Sequence, residues 1–432
     1  MKVAHFCTFP HGGAATAAIR QHNGLQQAGV DSRFYYFIDE KNQSFGDDFT
    51  KIEFTPAQHE GPLAAVTSFL AKRRRRRIHR LYDKHLDNRD LSLETFAMAE
   101  QPAPSILDWA SIDADIVNLH WISFFADFPS FFKSIPEHIP IVWTLHDTHA
   151  FTGGCHYNGD CMRFADGCGD CPQVHSPNPL DVSLTSLLAK RRAYRSKNLQ
   201  VVAPSKWMLD LARRSSVWPA KTRFQKIELG LQLETFQPID QNKARAALNL
   251  APRKKLIGFG AMGIDNPRKG FAHLMAALKK VKAAGVDCEC LVFGSGKIEQ
   301  TESLPKMNLL GFIDSAEKLC QAYSAADVIV VPSIEDNQPQ VGLEAMACGT
   351  PVVAFDTCGL PEYVINGKTG WLCPVADSDA LAEKIAVSLN GNTKQYGAAA
   401  VKQIQTRFNI RQQTQKWQQL YRKCLGRQVN CD

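Results

Sequence analysis

Two carboxylates, Asp336 and Glu344, stand eight positions apart in the stretch VIVVPSIEDNQPQVGLEAMACGTPVVAF, residues 328–355. The apolar run Val328–Val331 reads as a strand buried on both faces and stopped by Pro332-Ser333. A polar loop, Glu335 to Gln340, leads into the helix-forming composition of Val341–Cys348, and Gly349-Thr350-Pro351 ends that helix before a second buried strand, Val352–Phe355. Strand, loop, helix, strand is a βαβ unit, and its loop lies at the carboxyl end of a parallel strand, where open α/β sheets take ligands. Carboxylates there could accept hydrogen bonds from sugar hydroxyls, and the backbone N–H groups before the helix could receive an anion. On spacing alone, one helix-end acid and one solvated loop acid is the simpler reading.

Other groups fall at equivalent places. Arg268 and Lys269 directly precede a helix expected over Phe271–Ala284, combining two cations with helix N-terminal N–H groups, a receptor suited to a diphosphate. His120 and His146 each follow an apolar strand, Asp115–Leu119 and Ile139–Leu145. Gly12 and Gly13 follow the first strand, Lys2–Thr8, and would let backbone N–H groups approach an anion or a sugar closely. Gly294-Ser295-Gly296 is a bare G-x-G without the rest of a dinucleotide fingerprint. Cys155, Cys161, Cys168 and Cys171 have the spacing C-x5-C-x6-C-x2-C, compatible with a structural tetrahedral zinc site; free thiols, two disulfides or an iron–sulfur cluster are the alternatives. His156 and His175 could each replace one thiolate.

The elements that must carry these groups are numerous enough for two domains. The chain has 432 residues, 44% of them hydrophobic, which excludes a disordered chain. The start MKVAHFC reads as a strand and not a secretion signal, and no run approaches the roughly 20 apolar residues of a spanning helix, so a cytoplasmic protein is expected. Thirteen cysteines then imply reduced thiols. The net charge of +7 is mild, but Arg73–Arg77 concentrates it in a helix expected over Pro62–Leu86. Arg74 and Arg77 interrupt a face formed by Leu63, Val66, Leu70 and Leu81, so this helix is expected to rest on solvent or on an anionic membrane surface, with Phe69, Leu70 and Leu81 as apolar contacts. No nucleic-acid motif accompanies it, and no nucleic-acid partner is expected.

Taken together, Pro332-Ser333, Asp336 and Glu344-Ala345-Met346-Ala347-Cys348-Gly349-Thr350-Pro351 resemble the signature of the retaining GT-B glycosyltransferases of family 4. Glu335-Asp336-Asn337-x-Pro339, and the glycine- and cysteine-rich stretch after Thr144-Leu145-His146-Asp147, resemble the colanic acid and exopolysaccharide biosynthesis branch. The resemblance implies an α/β GT-B fold, two Rossmann-like doubly wound domains facing a cleft. Residues 1–238 would form an acceptor-side domain carrying the basic helix and the cysteine-rich loop. Residues 252–392, with a helix read over Ser378–Leu389 near their end, would form the nucleotide-sugar domain, and residues 393–432, with a helix read over Thr393–Cys424, would cross back to the first. The segment ELGLQLETFQP, residues 228–238, matches the family's exit from the first domain.

By position, the family's roles give Glu344 the nucleotide ribose and Asp336 the donor sugar, although most of the family has Glu there. His146 would face the sugar and its phosphate, and Lys269, in a Lys-Gly-Phe match, the diphosphate. The family's arginine after the second domain's first strand is absent, Ala261-Met262-Gly263 standing in its place, and Arg268 is the candidate substitute. The donor side would also include Gly13, Asn337, Gln338, Gln340, Val341 and the backbone of Phe312 and Ile313. Gly12 and His120 would lie on the acceptor side. The implied reaction moves a hexose from a nucleotide diphosphate sugar to a carbohydrate acceptor carried on lipid, with retention and no catalytic metal or other cofactor, at the inner face of a bacterial membrane in surface polysaccharide assembly. A sugar phosphorylase or isomerase on the same fold, or a non-catalytic scaffold at the membrane surface, are the alternatives from other classes.

Overall fold

Buried apolar runs assemble two parallel sheets in a computed structural model that describes residues 1–39, 46–55, 64–86, 89 and 94–426. One unit is Met1–Ile227 together with the chain from Thr414 onward, and the other is Glu228–Gln413.

The first unit holds β1 (Lys2–Cys7), β2 (Asp31–Tyr36), β3 (Phe49–Lys51), β4 (Ile116–Leu119), β5 (Ile141–Thr144), β6 (Leu199–Ala203) and β7 (Arg223–Lys226), in the order β3-β2-β1-β4-β5-β6-β7. Every pairing in it is parallel. All residues of β4, β5 and β6 are buried, because a parallel sheet is covered on both faces. Strand order reverses between β1 and β4, so the crevice beyond their carboxyl ends is the natural ligand position. An aromatic core of Phe128, Phe131, Phe132, Trp143 and Tyr194 packs beneath. Trp417, Leu420 and Tyr421 of the last helix, Ile410–Cys424, cover Val3, Ile116, Val142 and Val202, and Gln21 donates to the Tyr421 hydroxyl at 2.8 Å.

The second unit holds β8 (Lys255–Gly263), β9 (Cys288–Ser295), β10 (Lys306–Gly311), β11 (Val328–Val331), β12 (Val352–Phe355) and β13 (Gly370–Cys373), again all parallel, in the order β10-β9-β8-β11-β12-β13. Its reversal lies between β8 and β11. The loop after β8 reaches the end of β11 at very short range. Gly270 has φ 70°, and a Cβ there would meet the Pro332 carbonyl oxygen at 1.7 Å, so only glycine permits the approach.

The chain from Glu228 to Gln413 belongs to the second unit. There Leu231 N donates to Phe408 O at 2.7 Å and Leu231 O accepts from Ile410 N at 3.0 Å. That bridge interrupts the single terminal helix expected over Thr393–Cys424, which is two helices, Thr393–Arg407 and Ile410–Cys424. β8 also runs past Gly260 through Ala261-Met262-Gly263 with a register shift.

Candidate functional site

In the second unit the loops after β8 and β11 converge at the reversal point. Asn266 caps a single 3-10 turn, Pro267–Lys269, by accepting from Arg268 N at 2.9 Å, and the Phe271–Ala283 helix follows Gly270. This aims both cations at Asp336. Lys269 Nζ lies 2.6 Å from Asp336 Oδ2 and Arg268 Nη1 3.3 Å from the same oxygen, while Arg268 Nη1 also donates to Glu335 O at 2.8 Å. Asp336 is only 5% exposed. Burial pushes its carboxyl pKa up, but the Lys269 and Arg268 charges, with hydrogen bonds from Lys269 and Asn337 N, outweigh that and hold it below the usual carboxylate value.

Glu344 is the fifth residue of the Gln340–Ala347 helix, one turn in from its start. It is 5% exposed, and its Oε2 accepts from the Tyr323 hydroxyl at 2.7 Å. Asn337 and Gln338 are also buried, Gln338 Oε1 accepting from Leu229 N at 2.9 Å. Gln340 and Val341 open the helix half-buried. Phe312 and Ile313 follow β10 directly, Phe312 exposed and Ile313 half-buried.

In the first unit Gly12, at φ 95°, precedes the helix Gly13–Gln27, and His120 and His146 stand just past β4 and β5. The structure joins them to a third histidine that sequence reasoning missed. His146 Nε2 pairs with His120 Nδ1 at 3.0 Å, and His120 Nε2 pairs with His5 Nδ1 at 2.9 Å. Asn118 Nδ2 reaches both members of the second pair, at 3.3 and 3.2 Å, with its Oδ1 held by Thr144 Oγ1 at 3.1 Å. Burial lowers the His146 pKa to about 4 and those of His5 and His120 well below the ordinary value, so the chain of rings is neutral at pH 7. Asp147 was also missed as a site residue. Its Oδ2 accepts from Trp121 Nε1 at 2.6 Å and from His156 Nδ1 at 2.5 Å, and its Oδ1 from His149 N at 2.9 Å. A small recess of about 10 Å³, room for about one water, lies among His120, Trp121, Ser123, His146, Asp147 and His149. His5 and Asn118 lie inside strands, where their polarity was the available signal.

The zinc expectation is not met. Among the described residues no group of three or more His, Cys, Asp or Glu side chains is arranged to hold a metal ion, and Cys155, Cys161, Cys168 and Cys171 form no disulfide. Burial raises the Cys155 and Cys168 thiols to about 12. The loop is held by other means: Asp181 accepts from Cys171 N at 2.8 Å, Gly169 N donates to Ser183 Oγ at 2.9 Å, and buried Lys190 donates to the carbonyls of His149 and Thr152. His156 is taken by Asp147, and His175 ends the short turn Pro172–Val174.

The basic helix spans Ala64–His85; Pro62 and Leu63 of the expected segment lie outside the described residues. Arg74 and Arg77 do not break an outward face. Arg74 is paired with Asp127 and donates to Gln101 O at 3.1 Å, and Arg77 lies 2.8 and 3.0 Å from the Glu100 carboxylate oxygens. Val66, Phe69 and Leu70 are exposed, as are Arg73, Arg75, Arg76 and Arg80, while Leu81 is half-buried against Ile78 and its neighbours. No helix among the described residues is long and apolar enough to cross a membrane.

Comparison with known proteins centres on the second unit. Residues 253–390 match the family described as "Glycosyl transferases group 1". That segment contains Arg268, Lys269, Asp336 and Glu344. The D-inositol 3-phosphate glycosyltransferase of Mycobacterium sp. (strain JLS) is 34% identical over 193 residues, 43% of this chain and 44% of that one, so the chain spans under half the length of this relative. Two solved structures match nearly end to end. Sucrose-phosphate synthase from Thermosynechococcus elongatus has TM-score 0.65 and 19% identity, over 98% of this chain and 99% of that one. Anabaena HepE in complex with UDP and glucose has TM-score 0.62 and 16% identity, over 98% and 100%. The fold is therefore the GT-B pattern, two Rossmann-like α/β units, here with seven and six parallel strands.

The buried histidines make the first unit acid-sensitive. Folded His5, His120, His146 and His149 have depressed pKa values, while in the unfolded chain they titrate near 6.5. Protons then bind the unfolded state first, and stability is lost as pH falls from about 6.5 toward 4. Melting followed by circular dichroism should show this decline beginning near pH 6; a flat profile down to pH 4.5 contradicts it.

Proposed function

We propose that the chain is a glycosyltransferase moving a hexose from a nucleotide diphosphate sugar to a carbohydrate acceptor, with retention of configuration and without a catalytic metal. The observation that carries this reading is the Lys269–Asp336–Arg268 cluster at the strand reversal of the family-matched segment. Lys269 and Arg268, with the N–H groups opening the Gln340–Ala347 helix, would take the charge that develops on the departing diphosphate, the task a metal ion performs elsewhere. Asp336 would receive donor-sugar hydroxyls and Glu344 the ribose. His146, neutral at pH 7, would hydrogen-bond the sugar and its phosphate. The departing diphosphate would accept the proton of the attacking hydroxyl. Gly13, Asn337, Gln338, Gln340, Val341, Phe312 and Ile313 complete the donor side of the proposal.

In this proposal donor binding belongs to residues 252–392 and acceptor binding, with Gly12 and His120, to residues 1–238; helices in 393–432 return to the first domain. The setting is surface polysaccharide assembly at the cytoplasmic face of a membrane, with a lipid-linked acceptor. Support for a nucleotide sugar comes from HepE, whose structure contains UDP and glucose. A phosphorylated cyclitol is a second acceptor reading, favoured by the name of the mycobacterial relative.

Phosphorus NMR of UDP-glucose incubated with the protein and EDTA should detect slow release of UDP, and Lys269→Ala should reduce it by about 100-fold or more. Equal rates in the two proteins would remove the proposed role of Lys269. The exposed apolar and cationic residues of the Ala64–His85 helix fit an anionic membrane surface, where each basic residue contributes about 1 kcal/mol. Vesicles containing phosphatidylglycerol should sediment the protein, and replacing Arg73, Arg75, Arg76 and Arg80 by Gln should abolish this; binding that survives the fourfold change rules the helix out as the contact.

A further inference from the structure

The loop after β4 carries an unusual aromatic residue. Phe124 is 42% exposed and has φ 70°, a left-handed conformation that a bulky side chain rarely adopts. Its neighbours explain how the conformation is held. Thr8 N donates to Trp121 O at 2.7 Å, and Thr8 Oγ1 donates to Ser123 O at 2.8 Å, tying the loop to the end of β1. Ser123 Oγ pairs with His149 Nδ1 at 2.9 Å, and His149 Nε2 with Ala97 O at 2.9 Å. A carbonyl only accepts, so the His149 proton is on Nε2, and Nδ1 of the neutral ring accepts from the serine hydroxyl. The residue before Phe124 is thus fixed on both sides, and the chain tolerates strain at the next position. Strain over-determined in this way is characteristic of ligand-contacting loops.

Phe124 is one of three neighbouring aromatic rings. Its centroid lies 5.6 Å from that of Trp121, and Trp121 lies 5.8 Å from Phe9 in the loop after β1. Phe9 and Trp121 are half-buried. The Trp121 indole cannot rotate freely, because its N–H is held by Asp147 Oδ2 at 2.6 Å, and His156, stacked beside Phe124, donates to the same oxygen. His146 and Asp147, both half-buried, supply polar atoms beside the rings. The result is a preoriented aromatic surface flanked by a neutral imidazole and a carboxylate, at the strand reversal of the first sheet.

We infer that Phe9, Trp121 and Phe124 form a stacking shelf for a pyranose ring of the acceptor, with Asp147 as its hydroxyl-binding edge and His146 left to the donor. This rests on the glycosyl-transfer reading above and extends it to the acceptor's chemical class. A pyranose presents an apolar face of C–H groups and a rim of hydroxyls, which matches rings beside hydrogen-bonding groups; binding sites are commonly lined by aromatic side chains with a few placed polar atoms. A flat aliphatic partner would need no carboxylate at the edge, and a free phosphate no rings.

The test is saturation-transfer NMR with methyl α-D-glucopyranoside, methyl α-D-mannopyranoside and methyl α-D-galactopyranoside on the full chain. The variants are Phe124→Gly, which suits the left-handed backbone and should fold, and Trp121→Leu. The wild-type protein should transfer saturation from aromatic protons to the ring C–H groups of at least one glycoside, and both variants should bind it about tenfold more weakly. No transfer in the wild type, or equal affinity in the variants, overturns the shelf. UDP, GDP, ADP and TDP titrated in turn into the same wild-type sample separate the two claims. Glycoside binding with none of the four nucleotides bound keeps the shelf and removes the donor site, whereas nucleotide binding without glycoside binding removes the shelf alone.

Discussion

A carboxylate as deeply buried as Asp336 can stay ionised only because Lys269 and Arg268 are brought to it. Desolvating a lone charge costs several kcal/mol, and the loss is offset here by two cations converging on one oxygen. The rest of the second unit follows from meeting that requirement. Strands β8 and β11 must be neighbours, so that their two loops leave the sheet side by side. Gly270 must have no side chain, so that the turn carrying the cations can lie against Pro332. The helix after Asp336 must begin at once, so that its N–H groups face the same region. A site that holds its cations against a fixed anion is preorganised for an anionic ligand that can take over part of the pairing.

The first unit solves a different problem with neutral groups. Its histidines are too buried to carry charge, and each ring is held by the next or by Asn118. Asp147, the charged exception in this region, is kept ionised by His156 and by donors from Trp121 and His149, against the cost of burial. His5, Asn118, His120, Trp121, His146 and Asp147 stand on a sheet strand or in the first residues after it, so strand register fixes their spacing.

What the sequence revealed depended on whether burial was uniform. Val328–Val331, Val352–Phe355 and Leu199–Ala203 are buried on both faces, and their apolar runs coincide with the strands to the residue. Polar residues inside strands gave no sign of their partners: only the pairing of β1 with β4 brings His5 and Asn118 together. The break at Phe408–Asn409 comes from a bridge to Leu231, far away in sequence. The pairing of half-buried Arg74 with Asp127 and of exposed Arg77 with Glu100 is tertiary, and no helical periodicity can anticipate it. Cysteine spacing did not announce the contacts that tie the loop, which run from its backbone to Ser183, Asp181 and Lys190.

The most direct test of the central claim, a nucleotide diphosphate sugar site built on Lys269, Arg268 and Asp336, is a thermal-shift comparison of UDP-, GDP-, ADP- and TDP-glucose, each with magnesium or with EDTA. A ligand that binds only the folded state adds about 2.7 kcal/mol of stability at a hundredfold excess over its dissociation constant. The account predicts that one nucleotide raises the melting temperature equally in magnesium and EDTA. No shift with any of the four, or a shift that disappears in EDTA, would contradict it.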